Sequence, residues 1–367
     1  ASMGTVRLDY SKNGGVDGYA YPIATAVASG ALTYSWTIPD AIGIQVLVKI
    51  SAESDATIND TSNANFAIIG RFVISSPIGG ETWYVGQSNN ITWTTYGTID
   101  KVNLYYSTNG GVTYPSSIIP AATNVNGYLW TIPDAIGATA RVKLENFYDS
   151  TVLTTSPGNF TIKGRVIVTS PNGTEVWKVG ETRNITWTAY GSIGNVDIFY
   201  STNGGTTYPN TITPGGGVAA TLGTYGWTVP DSIGINLKVK ITSLLDASVT
   251  DESNAVFEIK GTLALTAPNG TETFFVGDPT NITWTKTGTL GNVELRYSTD
   301  GGLTYPAGGL IVTGIAAPAT PYAWTVPDAI GTQLRVKVLL LSDAANVFDE
   351  SNANFTIKGK LLVNAPN

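Results

Sequence analysis

The residues best able to do chemistry recur in three settings. Asp60-Thr61-Ser62-Asn63, Asp251-Glu252-Ser253-Asn254 and Asp349-Glu350-Ser351-Asn352 are acidic, Asn-rich turns. Carboxylate and amide oxygens are the hard ligands calcium takes, which makes Asp60, Asp251 and Asp349 candidate calcium ligands. The corresponding stretch Thr154-Thr155-Ser156-Pro157 has no carboxylate, and an Asx-type turn explains the same residues without a metal. Sequons at Asn59, Asn90, Asn159, Asn172, Asn184, Asn269, Asn281 and Asn354 are acceptors for N-linked glycan, although a chain rich in Thr and Asn also forms this triplet by chance. Trp83, Trp177 and Phe274 hold one repeated position, where exposed rings would form a platform for stacking on sugars.

Much other chemistry is excluded by composition. The 367 residues contain no Cys and no His, which removes thiol nucleophiles, disulfides, imidazole bases and the usual zinc ligands. No catalytic residue or cofactor site is expected, and the chain reads as a non-enzyme. A net charge of −7 argues against nucleic acid, because phosphate binding needs clustered Lys and Arg. Charged residues make up only 13%; with abundant Thr, Asn and Gly this points to an exported protein, extracellular or on a cell surface. No apolar run approaches the roughly 20 residues that span a bilayer, and Ala1 to Leu8 has no signal-peptide core. Any signal or anchor is expected outside these residues.

The elements that position these groups are set by a repeat. WTIPDAIG at Trp36 returns at Trp130, as WTVPDSIG at Trp227 and as WTVPDAIG at Trp324, in steps of 94, 97 and 97. NITW occurs at Asn90, Asn184 and Asn281, and the Tyr-Ser-x-(Asn/Asp)-Gly-Gly turn (Lys at x in the first unit) at Tyr10, Tyr106, Tyr200 and Tyr297. The boundaries expected are 1–70, truncated at its front, then 71–164, 165–261 and 262–359, with 360–367 as the first strand of a following repeat. About 29 residues are missing from the first unit and the terminal stub has 8, so that stub cannot complete it. Length varies between the turn serine and the next WT-(I/V)-P tryptophan, as 25, 23, 26 and 26, which predicts a surface loop there.

Within the unit the period is two. Val102, Leu104 and Tyr106 return as Val196, Ile198, Tyr200 and as Val293, Leu295, Tyr297, one apolar face of a half-buried strand. Tyr128, Trp130, Ile132 and Val142, Leu144 read likewise. Short strands with frequent turn signals predict an all-β chain of tandem Ig-like or fibronectin III-like β-sandwich repeats of about 95 residues. With no disulfide, the tryptophans of NITW and WT-(I/V)-P must fill the cores. Pro22, Pro115, Pro209 and Pro306 suit edge strands, where a missing donor blocks stray pairing. Lys49, Lys143, Lys240 and Lys337 alternate onto an outer face and read as surface charge, not as buried cross-linking lysines. Junctions such as Phe160 to Pro171 hold one Gly and no flexible linker, so neighbouring repeats are expected to stack stiffly.

Resemblances follow from these motifs, one for a single turn and two for the whole unit. Ser298-Thr299-Asp300-Gly301-Gly302-Leu303-Thr304-Tyr305 resembles the Asp-box turn of sialidases and other propeller proteins, a hairpin motif without catalytic role. Asn13, Asn109 and Asn203 stand where Asp300 does, and the repeat is longer than the roughly 40–50 residues of a propeller blade. The whole unit, (S/A)-P-x-G-x-E-(T/V)-(W/F) through N-I-T-W-T, Y-S-x-(N/D)-G-G, W-T-(I/V)-P and F-x-I-K-G, resembles the Ig-like repeats of large microbial surface proteins. It is also similar to the fungal Ser-Thr-rich, GPI-anchored, KNH-like cell-wall domain. The first likeness implies a structural module of a fibre, stalk or adhesin, whose partners are adjacent repeats or other copies in a filament or surface array. The second implies binding to cell-wall polysaccharide, with Trp83, Trp177 and Phe274 as the platform. A third role is an appendage of a larger secreted enzyme.

Overall fold

A computed structural model describes residues 4–318 and 320–361. The expected first strand of a following repeat, 360–367, lies outside the described residues beyond Leu361. The chain is all-β: apart from single 3-10 turns at Ala220–Leu222, Ala307–Gly309 and Leu341–Asp343, its described regular elements are strands. No described helix is long and apolar enough to cross a membrane. The chain divides into two compact units, Ala1–Arg165 with Tyr190–Ser192, and Val166–Ala189 with Ile193–Asn367.

In the first unit, strands 71 to 163 form an Ig-like sandwich. One sheet has the order Gly127–Thr131, Ser88–Tyr96, Arg71–Ser76; the other runs Ser116–Thr123, Lys101–Ser107, Gly137–Asn146, Phe160–Lys163, Thr82–Tyr84, with Leu153–Thr155 also on Gly137–Asn146. The pairing of Thr82–Tyr84 with Phe160–Lys163 is parallel and the others are antiparallel. Alternation directs the side chains as the period of two requires. Val102, Leu104, Val142 and Leu144 are fully buried, and Trp93 and Trp130 meet them from the facing sheet.

Strands 5 to 68 form one sheet only, Tyr21–Ala28, Thr5–Ser11, Gly43–Ala52, Asn59–Thr61, with Phe66–Ile68 on Gly43–Ala52. Its core is correspondingly small: Tyr10, Ala41, Val46 and Ile68. Trp36 corrects the expectation that every WT-(I/V)-P tryptophan is core. It is only half-buried, against Tyr10 at 5.2 Å, because the described residues of this block form no second sheet to close over it.

The second unit holds two further sandwiches of the same topology. Their three-stranded sheets are Arg165–Ser170, Thr182–Tyr190, Thr224–Thr228 and Thr262–Ala267, Pro279–Thr287, Tyr322–Thr325. Phe257 and Phe355 sit at the two core centres, 1% and 0% exposed. The segment of variable length is not the simple loop its sequence predicts. It forms an edge strand, Ser116–Thr123 or Leu310–Ala316, with register shifts between Ser117 and Ile119 and between Leu295 and Arg296 on the partner. An edge has no outer partner, so bulges absorb the extra residues there without breaking a ladder.

Candidate functional site

The acidic turns are built around their serine. Ser253 is fully buried, accepts the Val239 N–H at 3.0 Å and donates to the Pro171 carbonyl at 2.7 Å. Ser351 repeats this with Val336 at 3.0 Å and Pro268 at 2.7 Å. Ser156 accepts from Val142, and Ser62 accepts from Val48. The carboxylates serve the same closure: Asp251 Oδ2 accepts the Val168 N–H at 2.8 Å and Asp349 Oδ2 the Leu265 N–H at 2.7 Å. Asp60 is exposed on the strand Asn59–Thr61, and no backbone N–H corresponding to that of Val168 or Leu265 meets it among the described residues. An oxygen committed to a backbone donor is a poor start for a calcium shell, and the described residues hold no cluster of three or more metal-ligating side chains.

The sugar platform is overturned. Trp83 and Trp177 are 7% and 6% exposed, packed on Phe160 at 4.8 Å and Phe257 at 5.1 Å. Phe274 packs against Phe355 in the fourth repeat's core. The strand carrying them pairs in parallel with the last strand of the repeat, which turns this position inward.

The sequons separate into two groups. Asn90, Asn184 and Asn281 are exposed, each flanked by a buried Ile and with a buried Trp three positions on. The others are used by the fold. Asn159 accepts from Arg141, Asn354 from Arg335, Asn172 from the Asn254 N–H and Asn269 from the Asn352 N–H. Asn59 donates to the carbonyls of Ala56 and Thr57. Of the recurring lysines, Lys143, Lys240 and Lys337 lie over Tyr105, Tyr208 and Tyr305 on the outer face.

The Asp-box-like turns close on themselves. Asp300 accepts from the hydroxyls of Ser298 and Thr304, each at 2.5 Å, and from the Thr304 N–H. The Ser298 hydroxyl, then that of Thr304, hold its carboxyl down to about 2. Asn109 and Asn203 accept the Thr113 and Thr207 N–H in the same way, donate their amide N–H to the hydroxyls of those threonines, and have a side chain that does not titrate. A carboxylate with a depressed pKa favours the folded turn above its ordinary range near 3.8 and ceases to as pH falls towards about 2. Amide exchange, corrected for its intrinsic pH dependence, should therefore rise in turn 298–305 between these limits but not in turns 107–114 and 201–208. Asp300→Asn should abolish the difference, and equal loss in all three turns would refute the assignment.

What the sequence reading missed is a joint between consecutive repeats. In the first unit the Thr98 hydroxyl donates to Asp40 Oδ2 at 2.5 Å and its N–H to Oδ1 at 2.9 Å. In the second unit the Thr289 hydroxyl donates to Asp231 Oδ2 at 2.5 Å. A third instance, Ser192 on Asp134 Oδ2 at 2.5 Å, falls within the first unit. All three pairs are 58 residues apart. The Asp is that of WT-(I/V)-P-D; the hydroxyl follows a glycine, Gly97, Gly191 or Gly288, at φ of +84°, +78° and +77°.

A side chain at these glycines would be strained by the positive φ and would press on the joint. A Cβ on Gly97 would stand 2.9 Å from Ile42 Cδ1, and one on Gly288 2.9 Å from Ile233 Cδ1 and 3.0 Å from Asp231 Oδ1. The hydroxyl of Thr98, ahead of its N–H, lowers the pKa of Asp40, and that of Thr289 lowers the pKa of Asp231. Apolar contact completes the joint. Gly70 and Gly261, between the last strand of one repeat and the first of the next, lie under Ile99 and Leu290, where a Cβ would come within 2.7 and 2.4 Å. In the second unit Lys260 also bridges to Asp343 at 3.1 Å. Burial works to lower its pKa, but the Asp343 and Glu258 carboxylates prevail and raise it. The signal in the sequence was the constant separation of 58, which holds although the repeat length changes.

No known family and no curated protein matches the sequence. Among solved structures, the N-terminal four Ig domains of Dscam1 isoform 6.44 align over 96% of this chain and 92% of theirs, at 9% identity and a TM-score of 0.28. The titin I-band fragment I67-I69 aligns over 80% of this chain and all of its own, at 9% identity and a TM-score of 0.29. The fibronectin(III)-like modules of Clostridium thermocellum CbhA cover 52% of this chain and 94% of theirs, at 22% identity and a TM-score of 0.20.

Proposed function

We propose that the chain is a structural repeat segment of an extracellular or cell-surface fibre, stalk or adhesin, in which consecutive sandwiches are held end to end and other repeats or copies are the partners. The observation that carries this reading is the Asp–hydroxyl joint, present in both units with the same spacing and the same glycine. A joint rebuilt at each step fixes one repeat on the next, which is what an array bearing length needs and a pocket enzyme does not. The side chains with chemical potential are spent on the fold: serines and carboxylates close turns, and tryptophans fill cores. The chain is accordingly read as a non-enzyme. Asn90, Asn184 and Asn281, facing outward from the three-stranded sheet of each of three repeats, are the positions where glycan would fit this reading. Cell-wall polysaccharide binding has lost its aromatic platform.

Electron microscopy of the isolated chain tests the proposal. Particles extended to several times their width are expected; compact globules would overturn it.

A further inference from the structure

Among the described residues, the fourth repeat carries the acceptor half of the joint without an occupant. Pro327-Asp328-Ala329-Ile330-Gly331 repeats the Pro-Asp-(Ala/Ser)-Ile-Gly sequence that receives a Gly-(Thr/Ser) loop after Asp40, Asp134 and Asp231. Among the described residues no donor reaches the Asp328 carboxylate, and Ile330 is 65% exposed where Ile42, Ile136 and Ile233 are 44%, 45% and 41%. Tyr322 and Trp324 pair with the neighbouring strand as Tyr128 and Trp130, and Tyr225 and Trp227, do in the second and third repeats, so the half-joint is formed, and among the described residues it is unfilled.

We propose that this loop is a socket for one kind of occupant: a further repeat of the same type, entered from Gly359 and presenting x-Gly-(Thr/Ser)-(Ile/Leu). The inference deepens the reading of the chain as an array segment and rests on it. The occupant's chemistry is fixed by the joints already made. A hydroxyl and its own N–H satisfy both carboxylate oxygens, as Thr98 does on Asp40. A glycine at positive φ lets the loop approach the isoleucine, and the following Ile or Leu covers the connecting glycine, as Ile99 and Leu290 do. A loop with a side chain in place of the glycine, or with no hydroxyl, would leave the Asp unmet or clash with Ile330. The socket is therefore selective for this repeat over an unrelated sandwich.

The test extends the full chain. Residues 361–367, LLVNAPN, align with Leu263 to Asn269, LALTAPN, so a copy of 270–359 appended after Asn367 makes a fifth repeat without a linker; a copy of 173–261 makes a second version with Ser as the donor. Hydrogen exchange at 327–331 is read in the natural and extended chains, each with and without Asp328→Ala. At least a tenfold slowing on extension is expected, lost in the Asp328→Ala form of the extended chain, with little change from that substitution in the natural chain. A fifth repeat with a protected core but no slowing at 327–331 would overturn the proposal. So would failure of both appended repeats to fold, since neither could then occupy the socket. Neither result would alter the particle shape of the natural chain, which tests the array reading separately.

Discussion

Trp284→Ala is expected to remove about 3–5 kcal/mol from the fourth repeat, the usual cost of truncating a large buried ring. Trp284 is 2% exposed among Ile282, Leu295, Val336 and Phe355. Two losses combine. The cavity forfeits the contacts of an indole at the centre of a sandwich that has no disulfide to limit relaxation. The Ala317 carbonyl, which accepts the indole N–H at 2.8 Å beside a residue only 1% exposed, is left without its donor. Trp187 makes the same bond to the Ala220 carbonyl at 2.8 Å, and Trp93 reaches Asn124 Oδ1 at 2.9 Å. The ring is thus a polar anchor for the loop after the edge strand as well as filler. Because the chain has several cores, a single melting midpoint would blur the effect. Exchange protection resolves it: amides in Asn292–Ser298 and Gly331–Leu340 should lose about two to four decades of protection, while those of Asn195–Ser201 and Gly234–Ser243 serve as an internal control. Unchanged protection in the fourth repeat would show that the indole is not central to it.

The fold was legible because its determinants are local and periodic. Val102, Leu104 and Tyr106 alternate with polar residues, and alternation is what a half-buried strand must show. The core role of Trp93, Trp187 and Trp284 followed from their place beside Ile91, Ile185 and Ile282 at the same parity. Three features were not legible, for different reasons. Trp83 and Trp177 lie on strands of three residues, too short to display alternation, and their parallel pairing to a strand near 80 residues later leaves no local trace. Trp36 has the same local sequence as Trp130 and is still half-open, because burial depends on a facing sheet and not on its own strand. The Asp–hydroxyl joint links residues of different repeats, so no window within one repeat contains both partners. Only the interval of 58, constant across a repeat whose length changes, records it.

The acidic turn shows how residue type can mislead when the cheaper group carries the structure, and Ser253→Ala makes the point measurable. The substitution leaves the Val239 N–H and the Pro171 carbonyl unpaired at a site with no exposure. Each buried group so stranded costs about 1–3 kcal/mol, so a loss of about 2–5 kcal/mol is expected in the third repeat, read as faster exchange in Gly234–Ser243 and Phe257–Lys260. Asp251→Asn keeps an oxygen acceptor for the Val168 N–H and is expected to cost about 1 kcal/mol or less. If calcium held the turn, the order would reverse: the Asp251 change would be the damaging one, and added calcium would protect the parent protein but not the variant. The second repeat supplies the decisive comparison. Its turn reads Thr154-Thr155-Ser156-Pro157, with no carboxylate to hold an ion, yet Ser156 is fully buried and bonded to the Val142 N–H and the Gly158 carbonyl. Ser156→Ala should destabilise that repeat in the same way as Ser253→Ala does the third, and a loss confined to the acidic copies would return the turn to the metal.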